Sequence, residues 1–394
     1  MKPLDGVRVL DLSRLVAGGL AGMQLADFGA EVVKVERPIE GDPLRTWTTE
    51  GVPFWWKVYA RNKRLITLDL QSSEGQKIFK DLLPRFDILI ESFVPGTLEK
   101  WGLGWDILES ICPGLILARI SSWGQTGPMS RSPGFGTLVE AATGLAAMSG
   151  EASGPPLLPS FPVADMVTGL STTMAIMFAL YHRDVKKGKG QVIDISLFES
   201  LFSLLGPLPA EYAAFRKVRL RQGSRSRNSG PRGIFQTSDG SWIAINASTP
   251  KMTQRLLDGY GLGTLLLDPR FADNESRVRN AEEFDPILSN VIGKKTLSEN
   301  LRIIKENQLT AVQVQTIAEI QDDPQWQYRQ LLADIPDGKI DKIRMHTTLP
   351  MFSLTPGEIK WAGGEMGQDN DAIFTDELGL SKHELDQLHI RGVI

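Results

Sequence analysis

The chain has 394 residues, 42% hydrophobic and 23% charged, which excludes a disordered polymer and leaves room for two domains with their own cores. Lys and Arg number 43 against 47 Asp and Glu, a net charge of −4, so no global positive field gathers nucleic acid and any anion site is local. Cys112 is the single cysteine, which rules out an internal disulfide and a cysteine-rich zinc site and fits a reducing, cytoplasmic setting.

In chain order, residues 1–5 carry no apolar signal core. Residues 7–12 alternate in polarity and predict a strand, 17–29 a helix, and 31–36 a second strand. Further strands are expected at 65–70, 87–91, 115–121 and 192–197, with helices at 74–83, 97–111 and 166–181 between them. Such alternation implies a mostly parallel sheet, and right-handed crossovers restrict it to a Rossmann-like α/β layering. Ligands of these sheets sit beyond the carboxyl ends of the strands, which makes Ser13-Arg14, Glu36-Arg37-Pro38, Glu91-Ser92-Phe93 and Ser121-Ser122-Trp123 candidate rim segments. Ala17-Gly18-Gly19-Leu20-Ala21-Gly22 does not complete a G-x-G-x-x-G pattern. Its small residues either let the helix approach the sheet or leave amides free for a pyrophosphate.

The longest apolar run is broken by Gly169, Ser171, Thr172 and Thr173 and reads as a core helix, not a membrane span. Asp165 stands at its start, the only carboxylate between Glu151 and Asp184. It is either an N-cap, accepting from the amides of the first turn, or a nucleophile for activated carbonyls at the mouth of a buried helix. Between Tyr212 and Asp239 there is no acid, while Arg216, Lys217, Arg219, Arg221, Arg225, Arg227 and Arg232 are basic. That segment is a linker able to meet phosphate or carboxylate, or a solvated arm. Ser238-Asp239-Gly240 between two β-rich runs predicts a hairpin, and polar helical stretches follow to Glu319, as in a small α+β domain. A strand is expected at 351–354 and a closing helix at 382–388. The organisation expected is a large domain over 1–200 completed by 350–394, a small domain over 226–325, and linkers at 201–225 and 326–349.

Four histidines without ligand spacing and one cysteine provide no metal site, and no G-x-S-x-G elbow accompanies Ser121, Ser122 or Ser160. What remains is a carboxylate-centred site.

The ordered segments Leu4-Asp5-Gly6-Val7-Arg8-Val9-Leu10-Asp11, Leu25-Ala26-Asp27-Phe28-Gly29-Ala30-Glu31, Asn62-Lys63-Arg64, Glu91-Ser92-Phe93-Val94-Pro95-Gly96 and Gly124-Gln125-Thr126-Gly127-Pro128, with the Asp165 stretch, resemble the class III coenzyme A-transferases. That group includes formyl-, carnitine- and benzylsuccinate-type CoA-transferases, with α-methylacyl-CoA racemase as a sister branch. The resemblance implies an acyl-CoA and a carboxylic acid as substrates, no tightly bound cofactor beyond the CoA thioester co-substrate, and Asp165 as covalent nucleophile. It implies CoA contacts at Arg14, Arg37, Lys63, Ser92, Phe93 and Lys100, and oxyanion donors near Gly223 and Gly230. It also implies an interlocked-ring homodimer, or a heterodimer with a related subunit, and no nucleic acid or membrane partner. Three departures stand out: Ser92 where asparagine is usual, Val16 where some transferases place glutamine, and Phe135-Gly136-Thr137 where transferases often have Phe-Asp and racemases a histidine. A racemase would have to use Glu140 as its second base. A nucleotide-dependent oxidoreductase and a catalytically silent transferase subunit are two further functions compatible with the sequence.

Overall fold

The computed structural model describes residues 1–394 and divides into two compact units, one formed by Met1–Leu145, Leu158–Arg216 and Tyr328–Ile394, the other by Ala146–Leu157 and Lys217–Gln327. In the first, strands β1 (Arg8–Asp11), β2 (Glu31–Glu36), β3 (Lys63–Thr67), β4 (Ile88–Glu91), β5 (Ile116–Ser121) and β6 (Val192–Ser196) form one sheet. Their order is β3-β2-β1-β4-β5-β6, and every neighbouring pair is parallel. The direction of winding reverses between β1 and β4, the point at which doubly wound sheets open a ligand crevice.

Side-chain alternation assigns each strand to two buried layers. Leu10, Val33, Leu89 and Leu117 face one layer, which also holds Ile78, Phe79, Ile373, Phe374, Leu385 and Leu388 from helices Ser73–Leu82, Asn370–Leu378 and Lys382–Ile390. Val9, Val32, Ile88 and Ile116 face the other, with helices Leu15–Asp27 and Val163–Leu180. Because both faces are covered, β4 and β5 open with apolar runs that do not alternate: Ile88, Leu89, Ile90, Ile116, Leu117 and Ala118 are all 0% exposed. Residues near the end of the chain finish the sheet. The amide of Leu65 donates to the Asp369 carboxylate at 2.7 Å, that of Thr67 to Asn370 Oδ1 at 2.8 Å, and that of Asp69 to the Val393 carbonyl at 2.8 Å.

The small residues of the first helix serve packing. A Cβ on Gly22 would lie 2.8 Å from Lys63 Nζ and 2.9 Å from Asp11 Oδ2, so only glycine admits that buried pair beneath the helix. The amides at the helix start are taken, Arg14 N by Ser92 Oγ at 2.8 Å and Leu15 N by Asp42 Oδ1 at 3.1 Å.

Two local expectations differ from the structure. The helix expected over 97–111 is two, Thr97–Lys100 and Trp105–Ile111, because Gly102 adopts the left-handed conformation (φ 67°) that ends the first. Residues 351–354 form no strand; instead Leu332–Asp337 and Asp341–His346, inside the segment expected as a linker, pair antiparallel in the first unit. Ile335, Ile343 and Met345 are buried there, while Asp334, Lys342 and Arg344 form ion pairs on the opposite face, a period-two pattern that holds the hairpin. The apolar helix with its extra turn, Val163–Val185, is long and apolar enough to cross a membrane. Here it is the crossover from β5 to β6: Ala164, Thr168, Thr172, Ile176 and Ala179 are buried, while Leu170, Met174, Phe178 and Tyr181 are 50% to 66% exposed along one stripe.

The second unit has an antiparallel sheet of β7 (Arg232–Gln236), β8 (Trp242–Asn246) and β9 (Ala311–Gln313), with the expected turn at Asp239-Gly240, where Gly240 has φ 82°. Its core gathers Phe235, Ile243, Leu257, Phe271, Phe284 and Leu288. It is the α+β part of the architecture.

Candidate active site

Two clefts lie beyond the carboxyl ends of the strands, on either side of the point where the sheet order reverses. The first, about 450 Å³, is lined by residues following β1, β2, β3 and β4, among them Arg14, Arg37, Asp42, Asp69, Gln71 and Phe93. Lys34 and Asp42 of its lining belong to a buried ion network. Lys34 pairs with Asp42 at 3.0 Å and donates a short hydrogen bond to the Ser13 carbonyl, and Lys63 pairs with Asp11 at 2.8 Å. Burial raises the Asp11 carboxyl, but the Lys34 and Lys63 ammonium groups together outweigh it and hold Asp11 below the usual carboxylate range.

The second cleft, about 380 Å³, follows β1, β4, β5 and β6 and contains Asp165. Arg14, Phe93 and Val94 line both clefts, so the two meet at the end of β1 and β4. At that junction the Arg14 guanidinium lies 6.0 Å from the centre of the Phe93 ring.

Asp165 reaches the rim because the crossover helix runs antiparallel to the strands and starts at their carboxyl edge. Pro162 occupies the N-cap, so Asp165 is the third residue of the first turn, and no side chain of the helix caps it. The N-cap reading of Asp165 is thereby corrected: Pro162 begins the helix three residues earlier. Glu140 takes over the capping role. It is 2% exposed on helix Gly136–Ala142, and its Oε1 accepts from the Ala164 amide at 3.1 Å. With the helix capped from elsewhere, the Asp165 carboxylate is left to face the cleft. Gly136 makes room for it, since a Cβ there would stand 2.1 Å from Asp165 Oδ2. Burial, reinforced by repulsion from Glu140, raises the Asp165 carboxyl to about 6. It is therefore ionised at neutral pH, and a stronger nucleophile than an ordinary carboxylate.

The structure brings together Asp165, Arg14, Ser92 and Phe93 around the second cleft and Arg14, Arg37 and Phe93 around the first. Arg37 is exposed at that rim and pairs with Glu40 at 3.0 Å. Lys100 and Lys63 line neither. Lys100 is exposed on its short helix, whereas Lys63 is 1% exposed and donates to Asp11 and to the Gly19 carbonyl at 3.0 Å. Burial pushes the Lys63 ammonium below its usual range. The amides expected as oxyanion donors are also occupied: Gly223 N donates to the Gly150 carbonyl at 2.9 Å and Gly230 N to Asn274 Oδ1 at 3.0 Å. Sequence reasoning missed Glu140 as a cap, since it lies 24 residues from its partner amide. It also missed Arg131, a further side chain of the second cleft, in a loop with no motif.

A family model described as CoA-transferase family III matches residues 4–370. The chain is 39% identical over 396 residues to succinyl-CoA–D-citramalate CoA-transferase of Chloroflexus aurantiacus, covering 100% of this chain and 98% of that protein. It is 33% identical over 400 residues to human (Homo sapiens) succinyl-CoA:glutarate CoA-transferase, covering 100% and 90%. A crystal structure of a CAIB/BAIF family protein from Brucella suis superposes with a TM-score of 0.85 at 30% identity, covering 95% of this chain and 99% of that one.

Proposed function

Because the chain belongs to CoA-transferase family III and is an enzyme of that class, we propose that it moves coenzyme A from an acyl-CoA to a carboxylic acid through a thioester on Asp165. The observation that carries this reading is an ionisable carboxylate, paired with no other side chain, in a cleft continuous with a second, nucleotide-sized cleft at the carboxyl edge of a doubly wound sheet. The nucleotide part of CoA fits the first cleft, with Arg14 and Arg37 for its phosphates, and the pantetheine arm passes Phe93 to present the thioester to Asp165.

In the proposed cycle an Asp165 oxygen attacks the thioester carbonyl and CoA leaves as thiolate, giving a mixed anhydride. The thiolate then attacks the aspartyl carbonyl, the donor carboxylate departs, and Asp165 carries CoA. The acceptor carboxylate attacks that thioester and expels the thiolate to form a second anhydride. Attack of the thiolate on the new acyl carbonyl releases acyl-CoA and restores Asp165. Carboxylate, anhydride and thioester are close in reactivity, so one nucleophile divides the exchange into shallow steps. The names of the similar proteins support succinyl-CoA as the first donor to test.

Incubation with succinyl-CoA and hydroxylamine should leave a hydroxamate on Asp165, detected by peptide mass spectrometry. Turnover without any mark at Asp165 would sink the covalent assignment.

We also propose that a second copy covers the exposed stripe Leu170, Met174, Phe178 and Tyr181, in the interlocked dimer that the family resemblance implies; the α and β subunits among similar proteins make a heterodimer the other form of the same assembly. Separating interlocked rings requires partial unfolding, so sedimentation should show a dimer persisting at nanomolar concentration. A folded monomer appearing on dilution would count against it.

A further inference from the structure

Besides Asp165, the only charged side chains lining the second cleft are Arg14 and Arg131. Arg14 belongs equally to the first cleft, where it meets Phe93. Arg131 belongs to the Asp165 cleft alone, is exposed, and has no carboxylate or other hydrogen-bond partner in the protein. Its guanidinium lies beside Gly96, where a Cβ would stand 3.5 Å from Arg131 Nη2.

The loop that carries it is held in place. Ser130 N and Ser132 N donate to the Gly127 and Met129 carbonyls at 3.2 and 2.8 Å, and Trp123 Nε1 donates to the Pro133 carbonyl at 3.3 Å. Gly134 sits so close to the end of β5 that a Cβ would lie 2.4 Å from Ser122 Cβ and 2.7 Å from Trp123 Nε1. Two residues further on, Gly136 lies against the Asp165 carboxylate. A short, pinned segment therefore joins an unpaired guanidinium to the reacting carboxylate's own wall.

We propose that Arg131 is the specificity-determining residue of this enzyme, binding the free carboxylate at the far end of a dicarboxylic acyl group while its other end reacts at Asp165. The inference rests on the transferase reading above and extends it to the substrate class: dicarboxylic rather than monocarboxylic acids. A guanidinium offers two parallel donors to a carboxylate, and Arg131, without a partner in the protein, favours a ligand that brings the matching anion. A monocarboxylic acyl chain would leave that cation unpaired beside it and gain nothing from it.

The test compares wild type with Arg131→Gln, using succinyl-CoA and butyryl-CoA as donors to one common acceptor. For succinyl-CoA, kcat/KM should fall roughly 30- to 100-fold in the variant, while for butyryl-CoA it should stay within about threefold. An equal loss with both donors would overturn the proposal and assign Arg131 to the CoA moiety. Calorimetric titration of glutarate and butyrate into both proteins separates this question from turnover. Glutarate binding that is selectively weakened by the substitution supports Arg131 even if no transfer is seen, in which case it is the transferase reading that fails. A wild type showing no preference for glutarate over butyrate, or a variant that keeps such a preference, overturns the proposal.

Discussion

Replacing Asp165 by Asn should lower kcat/KM for CoA transfer by roughly 10³-fold or more, because an amide cannot form the acyl and thioester intermediates and no second carboxylate is free to stand in. Glu140, the nearest candidate, is buried and spends its carboxylate on the Ala164 amide. The wild-type pH profile should carry the same signature. Only the ionised form attacks, and burial with the Glu140 charge raises Asp165 to about 6, so kcat/KM should drop about tenfold per pH unit below that value. Glu140→Gln keeps an oxygen for the helix amide but removes the repulsion, and the acid limb should move to lower pH. A limb that stays in place would show that Glu140 does not act on Asp165 electrostatically. The nucleophile also costs stability. Its folded pKa lies above the unfolded value of about 3.8, so the folded state holds the proton more tightly and loses stability as pH rises from about 4 to about 6. Asp165→Asn should therefore be more stable than wild type above pH 6, by roughly 1–3 kcal/mol in urea unfolding, with the gain fading below pH 4.

The second large effect is expected at Asp11. Its carboxylate is 0% exposed between Lys34 and Lys63, 3% and 1% exposed. Asp11→Ala strands Lys63 without an anion and should destabilise the fold by about 3–5 kcal/mol in urea unfolding. The double change Asp11→Leu with Lys63→Met should recover much of that loss, since a well-packed apolar pair replaces a buried ion pair at little cost. If Lys63→Met alone instead weakened acyl-CoA binding at unchanged stability, Lys63 would be the CoA contact that the family resemblance suggested. A stability loss below about 1 kcal/mol for Asp11→Ala would remove the network from the account of the sheet.

Most of the large sheet was legible because its periodicities are local. The runs at 31–36, 88–91 and 116–121 are rich in Val, Ile and Leu, and alternation with helices leaves one parallel layering. Asp165 was legible as the lone acid before a long apolar helix. Its true place in the first turn was not, because capping fell to a glutamate on another helix, a contact that no local spacing encodes. Lys63 lies in a segment that matches the family resemblance, yet its burial follows from Gly22 on a helix 41 positions earlier, which only the fold brings into contact. The hairpin Leu332–Asp337 and Asp341–His346 is not legible because it buries only three side chains in its pattern, too few to stand out from the charges around them.

The amides of Leu65 and Thr67 find their acceptors 304 and 303 positions along the chain, at Asp369 and Asn370. At about 5–20 residues per second a ribosome needs roughly 15–60 s to make the intervening length. During that interval β3 has an open edge, and the layer beneath it lacks Ile373, Phe374, Leu385 and Leu388. Closing so long a loop adds little thermodynamically, since each doubling of length costs only about 0.6 kcal/mol. The burden is one of timing: the half-built sheet emerges with a sticky edge and an uncovered face, and translation must pass through the whole second unit before its own last residues can cover them.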